Sequence, residues 1–148
     1  MHVVIVYVTG ATCNHSDRDG NNEIYTCGVD GTATRRLTSS GADDLFPAWS
    51  PDGSQIAFCT NRDGNMEIYV MNADGKKPHR LTSNSAGEYG PHWSSNGTRI
   101  AFDSNLDGIA EDHWEVFVMN SDGSDLHRVT TTPPEATAIN PDWQSASR

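Results

Sequence analysis

The chain repeats itself, and the period of that repeat constrains the fold more than any other feature. Asp19-Gly20, Asp63-Gly64 and Asp107-Gly108 follow one another at intervals of 44 residues, and Leu37 and Leu81 are also 44 apart, with Val129 48 further on. Trp49, Trp93 and Trp143 are spaced by 44 and then 50. Insertions account for the drift: four extra residues follow Gly108, and two more lie between Thr130 and Trp143. The clearest copy is LFPAWSPDGSQIAFCTNRDGNMEIYVMNADGKKPHRLT, from Leu45 to Thr82. Its four short apolar runs, 46–50, 55–60, 67–72 and 79–82, are separated by Pro51-Asp52-Gly53, Asp63-Gly64-Asn65 and Asp74-Gly75. Gly, Asn and Asp supply the positive-φ backbone that tight hairpins need, so each copy is expected to be a four-stranded antiparallel meander. A period in the low forties with four strands per copy is the signature of a β-propeller, one blade per copy.

The strand count then sets the architecture. First strands are expected near Phe46, Gly90 and Asn140, second strands near Val3, Gln55 and Arg99, third near Glu23, Glu67 and Trp114, and fourth near Thr34, His79 and His127. The 148 residues form one domain of three blades. Blade 1 spans about 1–38 and is completed by a strand at 139–144; blade 2 spans 45–82 and blade 3 spans 89–131. The order is permuted, opening on a second strand and closing on a first. Three blades leave an open arc with unpaired edges, whereas propellers close with four to eight. The expected assembly is therefore a homodimer, 3+3, in which each chain lends its last strand to the other's first blade and six blades close a ring. The alternative is that these residues are part of a longer chain. Pro47, Pro91 and Pro141 recur in the first strand; proline lacks the donor a central strand uses, so this strand is expected at the edge, lining the channel. Trp49, Trp93 and Trp143, two residues on, are expected to fill the space between blades rather than to form an aromatic ligand platform.

The run WSPDGSQIAF, then TNRDGNMEIYVMNADG, then RLT resembles the propeller repeat of the TolB family, the periplasmic component of the Tol-Pal system, a repeat shared with many bacterial TolB-like proteins. The third copy keeps HWSSNGTRIAF, SNLDG, EVFVMNSDG and HRVT, and the first keeps SDRDGNNEIY and RRLT, so the resemblance covers nearly the whole chain. It implies an all-β propeller scaffold, which hosts both binding modules and enzymes. It also implies a periplasmic or secreted location. Met1 to Thr9 does not read as the export signal: no Lys or Arg precedes its apolar run, which is shorter than a secretory core. Ile5 to Thr9 aligns instead with Ile56 to Thr60, a second strand. Export would depend on a segment beyond these residues.

Twenty acidic residues against ten basic give a net charge of −10, which argues against nucleic acid and anionic membrane surfaces and favours a basic partner. No apolar run is long enough for membrane insertion. The three cysteines, Cys13, Cys27 and Cys59, have no paired or metal-ligand spacing; Cys27 takes the place of Met71 and Met119 and reads as a small buried side chain.

Candidate chemistry is concentrated in the loops. Asp17-Arg18-Asp19-Gly20-Asn21-Asn22-Glu23 recurs as Asn61-Arg62-Asp63-Gly64-Asn65-Met66-Glu67, and its alternating oxygen donors before a glycine resemble part of a calcium loop. Asp17, Asp19, Asp63 and Asp107 are thus candidate metal ligands, with calcium as the cofactor. The expected reading is an Asx turn, because the closing bidentate Glu of a calcium loop is missing. No Gly-x-Ser-x-Gly elbow, His-Glu-x-x-His pair or phosphate-cradling loop is present. In a propeller the loops from fourth to first strands share one face with the hairpins between second and third strands. Asp43, Asp44, Glu88 and Tyr89 are expected there, with His92 and Asp142 on the innermost strands, giving an acidic channel mouth. These six are the candidate ligand-binding residues, and no catalytic residue is assigned. The function expected is a non-enzymatic binding module recognising a protein, peptide or small ligand. The alternative is a lyase or glycan-acting hydrolase with a metal or acidic site in the channel, which needs convergent His and carboxylates from several blades.

Overall fold

Turn chemistry and apolar runs together divide this chain into short strands, and the computed structural model describes residues 4–9, 20–28, 30, 32–106 and 113–143. Eleven strands occur among them: β1 (Val4–Thr9), β2 (Glu23–Gly28), β3 (Arg35–Arg36), β4 (Asp44–Trp49), β5 (Gln55–Thr60), β6 (Glu67–Asn72), β7 (His79–Arg80), β8 (Glu88–Trp93), β9 (Arg99–Ser104), β10 (Glu115–Asn120) and β11 (His127–Arg128). They form three antiparallel sheets in sequence order, β1-β2-β3, β4-β5-β6-β7 and β8-β9-β10-β11. The all-β, four-stranded blade expected from the repeat is thus the unit of the fold. Val4–Thr9 pairs along its length with β2, from Val4 opposite Gly28 to Thr9 opposite Glu23, as a second strand does.

The blades pack face to face, which explains why β5 and β6 are buried on both sides rather than alternating. Ala57, Cys59, Ile68 and Val70 meet Ile100, Phe102, Phe117 and Met119 of the third blade, while Ile56, Phe58, Tyr69 and Met71 point the other way, towards Ile24 of the first. Cys27 lies opposite Ile5 in the place Met71 takes opposite Ile56 and Met119 opposite Ile100, and it is buried.

The turns between third and fourth strands are Asx turns. Asp30, Asp74 and Asp122 each accept, through Oδ1, the amide of the residue two further on, at 3.0 Å in all three. At Gly75 this turn also packs between blades: its φ is +82°, and a Cβ would stand 2.7 Å from the Leu37 carbonyl oxygen. Gly123 repeats the arrangement over the Leu81 carbonyl, at 2.9 Å and φ +85°.

β4 and β8 are edge strands, so Pro47 and Pro91 leave no ladder bond unmade. Each carries a bulge, between Leu45 and Ala48 and between Tyr89 and His92, where the residue before the proline has positive φ: 51° at Phe46 and 57° at Gly90. Asn140, before Pro141, has φ 57° as well. The first strand expected at 139–144 is nevertheless unpaired among the described residues and does not complete the first blade of its own chain. Residues 138–143 lie against the third blade, because the contacts that hold a first strand to the preceding blade are made here without any strand beside it. Ala138 donates to the Trp114 carbonyl at 2.8 Å, as Asp44 does to Asn22 and Glu88 to Met66, both at 2.9 Å.

Candidate functional site

The third strand of every blade opens on a glutamate, Glu23, Glu67 and Glu115, and all three side chains are buried at one end of the sheets. Burying a carboxylate is tolerable only with donors around it. The repeat supplies them. Thr38, Thr82 and Thr130 accept the amides of Ile24, Ile68 and Val116 at 2.8–2.9 Å and stand beside the carboxylates. Arg36 Nη2 reaches Glu23 at 2.7 Å, and Arg80 Nη2 pairs with Glu67. Asn21 and Asn65 donate to Glu23 and Glu67 from two residues earlier, at 2.9 and 3.1 Å, and also to the crossing loop at Ala42 and Asn84. In the third blade His113 takes that place, 3.6 Å from Glu115 and hydrogen-bonded with Thr132 at 3.2 Å. These polar knots tie each hairpin between second and third strands to the loop entering the next blade, so both elements of the expected mouth do share one face. The sequence reading missed them, although Arg-Leu-Thr and a Glu at the head of the third strand recur in the text of the repeat.

The six residues expected at the mouth divide by exposure. Asp44 and Glu88 are fully buried. Asp44 pairs with Arg62 at 3.0 Å and accepts Ser40 at 3.2 Å. Glu88 is its counterpart one repeat later, where Leu106 stands in place of Arg62. Without that cation, Glu88 accepts only neutral donors, Asn84 Nδ2 at 2.8 Å, Thr82 Oγ1 at 3.2 Å and Ser104 Oγ at 3.3 Å. Burial and the adjacent Glu67 push its pKa up to about 8. Glu67 moves the other way: burial opposes its charge, but hydrogen bonds from Thr82, Glu88, Asn84 and Asn65 outweigh it and lower its pKa. Glu67 Oε2 has no hydrogen-bond partner among the described residues, so a proton held on Glu88 is the donor its surroundings favour. Asp43 is half-buried and accepts the amide and the side chain of Asn22, both at 2.8 Å. Tyr89, also half-buried, meets Phe46 and Trp114 edge-on at 6.0 and 5.3 Å.

His92, on β8, and Asp142, on the segment 138–143, are exposed, at the position that Ala48 takes in the second blade. Near them, Asp103 accepts the amide of Asn140 at 2.9 Å, and burial raises its pKa against that bond and the nearby His92. Of the metal candidates, Asp63 is described, and its Oδ2 is occupied by the Tyr69 hydroxyl and, at 3.3 Å, Arg80. Asp17, Asp19 and Asp107 lie outside the described residues. Among the described residues no group of three or more His, Cys, Asp and Glu side chains is arranged to hold a metal ion. Cys27 and Cys59 are free thiols, and burial raises the Cys59 pKa.

A cavity of about 360 Å³ lies at the opposite end of the sheets, between the turns that join first and second strands. Pro51, Asp52, Asn96 and Trp93 line it. Ser50 and Ser54 hydroxyl and amide donors lower the Asp52 pKa to about 2, so this rim carries a permanent negative charge. Nothing in the sequence reading pointed to this end, because its residues are ordinary turn formers.

Residues 43–147 match the family model described as the TolB beta propeller domain. A TolB homolog from Chlorobium luteolum is 49% identical over 43 residues, which is 29% of this chain and 10% of that protein. The TolB structure from Agrobacterium tumefaciens superposes with a TM-score of 0.67 at 32% identity, covering 75% of this chain and 42% of the other. TolB from Acinetobacter baumannii gives 0.68 at 21% identity, over 93% of this chain and 32% of its own. The chain therefore spans less than half the length of these relatives. No helix among the described residues is long and apolar enough to cross a membrane.

Proposed function

The chain belongs to the TolB β-propeller domain family, and from that premise we propose that it is a non-enzymatic binding module, recognising a protein, peptide or small ligand at the acidic mouth of a channel. The family match over residues 43–147 carries this reading. The exposed residues of the mouth are the ones that meet the partner: Asp142 and His92 on the innermost segments, Asp63 on its hairpin and Glu135 on the last crossing loop. Asp44 and Glu88 lie beneath them and set the loop conformations from inside. Loops braced by buried carboxylate knots make a rigid rim, and a rigid rim loses little entropy on binding. The net charge of −10 favours a cationic partner. The assembly that we propose for this channel is the two-chain ring of six blades.

A fluorescein-labelled lysine-rich peptide, titrated by anisotropy, tests the reading. Binding is expected to weaken on the order of fivefold in Asp142→Asn plus Glu135→Gln, and to fall further in about 0.5 M salt as the charges are screened. Affinity indifferent to both the substitutions and the salt would overturn it.

A further inference from the structure

The turns that join first to second strands are built alike in the second and third blades, but they leave different atoms over. Ser50-Pro51-Asp52-Gly53-Ser54 and Ser94-Ser95-Asn96-Gly97-Thr98 hold the same place, 44 residues apart. In each the glycine amide donates to the carbonyl of the opening serine, at 2.9 Å from Gly53 and 2.8 Å from Gly97. In each one side-chain oxygen gathers the remaining donors. Asp52 Oδ1 accepts the Ser50 hydroxyl at 2.6 Å, the Ser54 amide at 3.0 Å and the Ser54 hydroxyl at 2.9 Å. Asn96 Oδ1 accepts the Ser94 hydroxyl at 2.8 Å, the Thr98 amide at 3.1 Å and the Thr98 hydroxyl at 2.8 Å. The turn therefore requires an oxygen at this position and not a charge, since a neutral amide makes the same three bonds.

The negative charge of Asp52 is thus surplus to the turn. Among the described residues its Oδ2 accepts only the Ser54 hydroxyl, at 2.8 Å, and the single proton of that hydroxyl is shared with Oδ1. No cation stands beside it among the described residues. The charge does not face open solvent alone. It lines the cavity of about 360 Å³ between the two turns, a volume at the small end of the ~300–1,000 Å³ range of ligand pockets. Both walls belong to four-stranded blades, β4-β5-β6-β7 and β8-β9-β10-β11, so the cavity lies within the arc and not at either of its ends. The two turns nearly touch, since a Cβ on Gly97 would stand 3.6 Å from Pro51 Cδ. Trp93 and Pro51 give the cavity an apolar side, and the indole is anchored because its Nε1 donates to the Ala48 carbonyl at 3.2 Å. Gln55 adds a side-chain amide that makes no hydrogen bond among the described residues. Asp52 is the one charged side chain in the lining.

We propose that this cavity is a second binding site, for a primary ammonium group on an alkyl stem such as a lysine side chain carries: the ammonium lies against Asp52 Oδ2 and the Gln55 side-chain oxygen, and the methylenes lie along Trp93 and Pro51. The site is at the opposite end of the sheets from the mouth and does not depend on the reading given for the mouth. A hydroxylated ligand makes no use of the charge, because an amide such as that of Asn96 serves a hydroxyl equally well. A calcium ion takes about six to eight oxygen ligands, usually with several carboxylates, and the lining offers one. A flexible apolar stem that ends in a cation matches an apolar wall that ends in a carboxylate.

The probe is Nα-acetyl-lysine N-methylamide, titrated into the isotope-labelled full chain and followed through the Trp93 indole and the Gln55 and Asn96 side-chain amide resonances. All three are expected to shift and saturate. The norleucine analogue, which keeps the stem and lacks the ammonium, is expected to bind about fivefold more weakly or worse. Asp52→Asn copies the residue of the following blade and keeps the Oδ1 bonds, so it is expected to leave the unfolding midpoint nearly unchanged and to weaken the lysine probe on the order of fivefold. Asn96→Asp brings a second carboxylate to the same cavity and is expected to tighten binding by a similar factor. Asp142→Asn plus Glu135→Gln, at the mouth, is expected to leave the titration as it was, which separates this site from that one. The proposal is overturned by a lysine probe that produces no saturable shift, by equal binding of the norleucine analogue, by indifference to Asp52→Asn, or by a polyol such as glucose that moves the same resonances more strongly than the amine. If Asp52→Asn fails to fold, the norleucine comparison and Asn96→Asp decide.

Discussion

Glu88 is expected to make the stability of this protein fall as the pH rises through neutrality, and Glu88→Gln to remove that fall. The folded-state pKa of Glu88 is about 8 against an ordinary value of 4.5. Between those two values the native state keeps a proton that the unfolded chain has released, so unfolding becomes easier with each step in pH. The slope approaches about 1.4 kcal/mol per pH unit, or about 4 kcal/mol between pH 5 and pH 8. Glu67 does not cancel this, because its pKa is lowered: its contribution is fully present above 4.5 and is lost only as the pH drops through its native value, below the window in question. A glutamine at 88 reproduces the neutral acid, offering an N–H to Glu67 and an oxygen to Asn84 Nδ2, now 2.8 Å away. Urea unfolding followed by tryptophan fluorescence at a fixed protein concentration and pH 5, 6, 7 and 8 gives the comparison, and the difference between the two proteins isolates Glu88 from the histidines. At pH 5 the two are expected to agree within about 1 kcal/mol; at pH 8 the variant is expected to be more stable by about 3 to 4 kcal/mol. A difference that stays constant across the series would refute the assignment of Glu88 as the neutral partner.

The same series tests its cause. Leu106→Arg is expected to supply Glu88 with the cation that Arg62 gives Asp44, to flatten the pH dependence, and to stabilise the protein by about 1 to 2 kcal/mol at pH 8, the figure reduced because position 106 is partly solvated; an unchanged slope would sink the idea. Gly75→Ala is expected to cost about 2 to 4 kcal/mol, since the new methyl meets the Leu37 carbonyl at 2.7 Å, whereas Gly53→Ala, with φ +70° but open space around it, costs only about 1 kcal/mol of backbone strain. Equal losses in thermal or urea unfolding would show that blade-to-blade contact at Gly75 contributes nothing.

The fold was legible because its determinants are local and repeated. Asp74-Gly75 and Asp122-Gly123 announce turns by themselves, and the spacing of Trp49 and Trp93 fixes the blade without any knowledge of what touches what. Pro47 and Pro91 gave the edge strand correctly, because a missing donor is a property of the residue rather than of its surroundings. The site was less legible. Asp44 and Glu88 lie in loop-adjacent, acidic text that reads as surface; both are buried, since partners 18 and 4 residues away, Arg62 and Asn84, satisfy them. That pairing is a property of the folded loop and leaves no mark on hydropathy. One signal was available: Glu23, Glu67 and Glu115 recur with Thr38, Thr82 and Thr130 at equal offsets of 15. A charged residue that keeps its place beside a hydroxyl through repeats whose other polar positions change points to an internal partner. The twelfth strand, expected at 139–144, stands unpaired for a different reason. Asn140-Pro141-Asp142-Trp143 has the local backbone of a first strand, but a strand also needs a neighbour, and local pattern says nothing about what provides it.

Those two kinds of information meet at the blade interface. The second and third blades are each fixed to the one before by a backbone bond from the start of the first strand and a glycine turn seated on a leucine, and the third adds the Trp93 indole on the Ala48 carbonyl. Because each contact is directional, stability propagates along the arc as a sum of blade and interface terms. Among the described residues the Trp49 indole has no such acceptor, whereas those of Trp93 and Trp143 do. A change at one blade interface, such as Gly123→Ala against the Leu81 carbonyl, is therefore expected to loosen the loops that the neighbouring blade braces, even where it touches none of their residues.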